Sequence, residues 1–141
     1  MQYAYSNNGS NVRAIEPGME TPNEVVFHGL ASEEELCAAF PERAALLAAQ
    51  AKAEAERILT AALQRYIDAT AQARGYDGIL SLCSYSGSSH PKFGPEGKAG
   101  ITFRDAVWDY AYQVLAECEA GTRAVPSEAE IVAGAPVMVW P

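Results

Sequence analysis

Apolar and polar side chains alternate at the start of the chain, with Tyr3 and Tyr5 before the turn-forming stretch "SNNGSN" and Val12 and Ala14 after it. A period of two around Asn and Gly predicts a β-hairpin. After the breaker cluster "PGMETP", the run from Glu24 to His28 reads as a third short strand. Three short strands enclose little core of their own and need a partner surface.

The period then lengthens to that of a helix. Ser32 and Glu35 form a capping box ahead of Leu36 and Phe40, which marks a short helix. Pro41 suits the first turn of a new helix and Gly75 suits its C-terminal cap, which predicts one helix about 50 Å long. Fourteen of the 36 residues from Ala38 to Ala73 are Ala, which favours helix and permits close approach of another helix. Leu59, Leu63, Tyr66, Thr70 and Ala73 follow a 4-3-4-3 spacing, widened by Ile58, Ala62 and Ile67. This stripe is either a coiled-coil seam between copies or the buried face of an intramolecular bundle. The second reading is favoured, because the pattern is shorter than the three or four heptads of a usual coiled coil.

The segment "ITFRDAVWDYAYQVLAECEAG" is the clearest helix. Thr102 and Asp105 resemble a capping box, Phe103, Val107, Val114 and Cys118 mark the apolar face with Tyr110 or Ala111, Trp108 and Leu115 broaden it, and Gly121 ends it. Ser127 and Glu130 open a last short helix, and the apolar tail "APVMVWP" is expected to pack on the domain or on a partner. The chain is therefore expected to be mainly α with a small N-terminal antiparallel β element, an α+β arrangement. Residues 1–31 form the β element, 32–75 the short helix and the long Ala-rich helix, and 76–141 a C-terminal helical domain.

Composition supports a folded chain: 141 residues, 49% hydrophobic and 20% charged. Charge narrows the partners. The net charge is -8, with -5 in residues 1–41, +1 in 42–100 and -4 in 101–141. Without a basic patch, nucleic acid and anionic membrane surfaces are disfavoured. Cys37, Cys83 and Cys118 are widely spaced with no C-x-x-C, so reduced thiols are expected rather than a disulfide framework or a zinc site. No signal peptide or membrane span is read in the chain.

The stretch "GYDGILSLCSYSGSSHPKFGPEGKA", residues 75–99, concentrates candidate chemistry. Cys83 as nucleophile, His90 as base and Asp77 as orienting group would make a Cys/His hydrolase. Against this, Cys83 lies among Leu80, Leu82 and Tyr85 in an expected short helix capped by Asp77, where a thiol behaves as a small hydrophobe. The stretch is expected to pack Tyr76, Tyr85 and Phe93 onto the long helices. The only other histidine, His28, has no metal-ligand spacing to His90, and the glycines lack phosphate-binding spacing. Trp108, Tyr110, Tyr112 and Trp140 would suit a carbohydrate or peptide site, or a core with a wet rim, the favoured reading. No catalytic, cofactor-binding or metal residue is expected. The expected partner-binding residues are Tyr3 and Tyr5, by strand addition, and Leu59, Leu63, Tyr66 and Trp140.

The C-terminal half resembles an uncharacterised domain of bacteriophage and prophage tail proteins. The shared features are "GYD", the "SY" at Ser84 and Tyr85, "PKF", "EG", the "VW" at Val107 and Trp108, "YQVL" and "PSEAEI". The N-terminal "MQYAYS", the proline before "NEVVF" and the "SEEEL" helix start are similar to the beginning of phage tail-fibre assembly proteins. The resemblance implies a non-enzymatic, chaperone-like role in tail-fibre folding, assembly or attachment, with a fibre or other tail protein as partner. It places the chain in the host cytoplasm during assembly, or in the virion tail. A fibre or baseplate adaptor that stays in the virion is the alternative.

Overall fold

The computed structural model describes all 141 residues. Three strands, β1 (Gln2–Ser6), β2 (Asn11–Ile15) and β3 (Val25–Phe27), precede five helices. These are α1 (Glu33–Ala39), α2 (Pro41–Ala73), α3 (Ile79–Ser84), α4 (Phe93–Glu119) and α5 (Glu128–Gly134). The fold is α+β, as the hydrophobic periods predict. The chain divides into two compact units, Met1–Ala53 and Glu54–Pro141. The leading part of α2 belongs with the sheet, and its trailing part belongs with the C-terminal helices.

In the first unit the strand order is β2-β1-β3, with β1 antiparallel to both neighbours. Asn7, Asn8 and Gly9 turn the hairpin through successive positive φ values of 51, 53 and 76°, the region that Asn and Gly tolerate. The register pairs Tyr3 with Ala14 and Phe27, and Tyr5 with Val12 and Val25. These six side chains share one face, on which the Tyr5 and Phe27 rings meet edge to face at 5.6 Å. On the other face Ala4, 1% exposed, lies between Arg13 and Val26. Its small side chain sits between strands joined by a fork: Arg13 donates from Nε and Nη2 to the two carboxylate oxygens of Glu24, each at 2.7 Å. That fork and the Thr21 amide hold the Glu24 carboxyl down, from the usual 4.5 to about 2. Helix α1 starts with the expected box, Ser32 receiving the Glu35 amide while the Glu35 carboxylate receives the Ser32 amide. Leu36 and Phe40 close over the hairpin turn at Gly9.

Strand order corrects one expectation. Tyr3 and Tyr5 lie on the central strand, whose backbone is paired on both sides, so β1 has no edge to add to a partner. The free edges belong to β2 and β3.

In the second unit the core is built from the trailing half of α2 (Leu63, Ile67, Ala71), α3 (Ile79, Leu82), α4 (Phe103, Val107, Val114), Ile131 of α5 and Met138. The stripe at Leu59, Leu63 and Tyr66 is turned toward the chain's own core; Leu63 is 1% exposed, and Leu59 and Tyr66 pack against the core from its margin. By contrast, residues 44–54 of α2 are exposed on all sides, Leu46 and Leu47 included.

Helices α2 and α4 end in the same way. The Tyr76 amide reaches back to the Ala71 carbonyl and the Gly75 amide to Gln72; Thr122 and Gly121 repeat this with Glu117 and Cys118. Both are Schellman motifs closed by a positive-φ glycine, as expected at Gly75 and Gly121. Two starts differ from expectation. Helix α4 begins at Phe93, so Thr102 is mid-helix, its hydroxyl donating to the Lys98 carbonyl, and does not cap. The "FGPEGKAG" segment is helical because its glycines admit neighbours: a Cβ on Gly97 would meet the Ser86 backbone, and one on Gly100 would meet the Leu82 side chain. Helix α3 is capped from a distance. The Ile79 amide donates at 2.9 Å to the carboxylate of Asp68, on α2, and not to Asp77.

Candidate functional site

The polar chemistry of the second unit converges on Glu96, the one buried charged residue, 2% exposed. It lies in the first turn of α4, where a carboxylate complements the helix dipole. The Schellman turn that ends α2 aims the next residues at it. Arg74 donates to Oε1 from Nε and Nη2, at 3.0 and 2.7 Å, and the Tyr76 hydroxyl donates to Oε2 at 2.7 Å. Three donors satisfy both oxygens. The Arg74 fork, helped by the Tyr76 hydroxyl, outweighs burial and holds the Glu96 carboxyl below the usual range. Burial, together with the bond to this carboxylate, pushes the Tyr76 phenol up to about 12. Outside the pair, the Arg74 guanidinium lies over the Trp140 ring at 5.1 Å.

An aromatic row continues from Tyr76. Tyr85 is 5.7 Å from Tyr76 and 5.2 Å from Phe93, and His90 stacks on Phe93 at 4.2 Å. Tyr76, Tyr85 and Phe93, expected to pack onto the long helices, thus also pack in a row on one another. His90 acts locally as a cap for the start of α4, its Nδ1 accepting from the Lys92 and Phe93 amides at 3.2 and 3.4 Å.

Cys83 and His90 therefore have separate surroundings. The Cys83 thiol is buried, charges on Arg104 and Asp105 act on it, and burial pushes its pKa up, away from the thiolate a nucleophile needs. Asp77 bonds through its carbonyl to Gln72 and not to an imidazole. No group of three His, Cys, Asp or Glu is arranged to hold a metal ion, and no helix is long and apolar enough to cross a membrane. A shallow open groove beside α5 is lined by Ala62, Tyr66 and Val132, with the Arg65–Glu128 ion pair on its rim.

The residues expected to bind a partner are placed as follows. Tyr5 is buried and its hydroxyl accepts from the Ala31 amide at 3.0 Å; Tyr3 is half-buried and donates to the Met1 sulfur. Leu63 is buried and Leu59 packs against the core. Tyr66 meets Phe103 edge to face and donates to the Pro136 carbonyl at 2.9 Å. Trp140 is half-buried beneath Arg74. Tyr5 and Leu63 thus have no surface to offer, and the other four are engaged at least in part within the chain. The surfaces left open are the β2 edge, residues 44–54, and Val137 and Val139 on either side of buried Met138. Sequence reading missed Glu96, because 22 residues separate it from Arg74 and no local pattern links them.

No family model, curated protein or solved structure matches this chain.

Proposed function

We propose that this chain is a non-enzymatic bacteriophage tail protein that assists tail-fibre folding, assembly or attachment by binding another polypeptide. The resemblance of residue patterns in the C-terminal half to phage tail proteins supports the setting. The observation that carries a binding role is the free backbone edge of β2, since Cys83, His90 and Glu96 are all taken up in packing or capping. Fibre chains carry strand edges and apolar surfaces that invite aggregation before they trimerise. A small acidic protein with an open edge is suited to shield them.

Co-expression of a fibre protein from the same phage, with and without this chain, tests the reading by the yield of soluble fibre trimer. Trimer that depends on the chain, and from which the chain is absent, is the expected result. A chain retained at fixed ratio makes it an adaptor. No effect together with no binding overturns the tail-fibre role.

A further inference from the structure

We draw no further inference here: the strongest candidate, the apolar surface patch of the C-terminal tail where Val137 and Val139 stand exposed on either side of buried Met138, carries nothing because nothing in the structure shows what covers it.

Discussion

Glu96 is held as a charge out of water by three donors from two residues, and the energetic consequences differ for each member. Arg74 is partly exposed and regains water when its partner is lost, whereas Tyr76 is half-buried and its hydroxyl regains less. Replacing Glu96 by Ala should therefore lower stability by about 2 kcal/mol, mostly from the stranded hydroxyl and the lost charge-assisted bonds. Glu96→Gln keeps one acceptor and should lose less; equal stability of both variants and the parent in urea unfolding would refute this account. Tyr76 gives an independent reading at high pH. Its folded pKa, about 12, lies above the ordinary 10, so the neutral phenol is favoured by folding. Its contribution is fully present below pH 10 and is lost as pH rises from 10 towards 12. Tyrosinate absorbance should show a late step near that pH which Tyr76→Phe removes; an unchanged curve would count against the shielding.

Among the elements, the junction of α3 and α4 carries the most specific prediction. Helix-interior glycine is ordinarily worse than alanine by up to about 1 kcal/mol, so Gly→Ala in a free helix stabilises. In α4 the sign should reverse. A Cβ on Gly97 would lie 2.5 Å from the Ser86 amide nitrogen and 2.6 Å from the Tyr85 carbonyl carbon, backbone atoms that cannot move aside cheaply. On Gly100 it would lie 2.7 Å from Cγ of Leu82, a side chain with more freedom. Gly97→Ala should thus lower stability by about 2 kcal/mol or more, and Gly100→Ala by less, with melting by circular dichroism as the measure. A stabilised Gly97→Ala protein would refute the close packing. The same junction explains which parts of the fold were legible in the sequence. Caps whose donor and acceptor are three to five residues apart, at Ser32, Ser127, Gly75 and Gly121, were readable because their chemistry is local. The start of α4 was not, because glycine and proline signal a loop until a neighbouring backbone explains them. The Asp68 cap of α3, the central place of β1 and the Arg74–Glu96 pair were also hidden, since each is chosen by tertiary contact and leaves no periodic trace.

On the scale of the whole molecule, the net charge of -8 and the pattern of carboxylate partners pull stability in opposite directions as pH falls. Protonation relieves self-repulsion, which favours the compact state at lower pH. It also removes specific bonds. Glu24, Glu33, Glu54 and Glu96 are held below the usual carboxylate range chiefly by arginine bonds, Glu35 and Glu130 chiefly by the Ser32 and Ser127 amides, and Glu117 chiefly by Gln113. A carboxyl whose folded pKa is depressed contributes stability above its unfolded pKa and loses it as pH drops through the folded one. The direction is the same for all seven, so the bonds should win over the relieved repulsion. The melting temperature is expected to fall steadily from about pH 5 downwards, with Glu24 the last to protonate, near pH 2. Salt separates the contributions. At 1 M the exposed Arg57–Glu54 pair is screened, while Glu96 is shielded from solvent and the capping boxes are hydrogen bonds to backbone amides. Part of the acid sensitivity should therefore persist in salt and shrink in Glu96→Gln. A melting temperature that rises on acidification would mean that repulsion between unpaired acidic groups, not the network of bonded carboxylates, governs the stability of this chain.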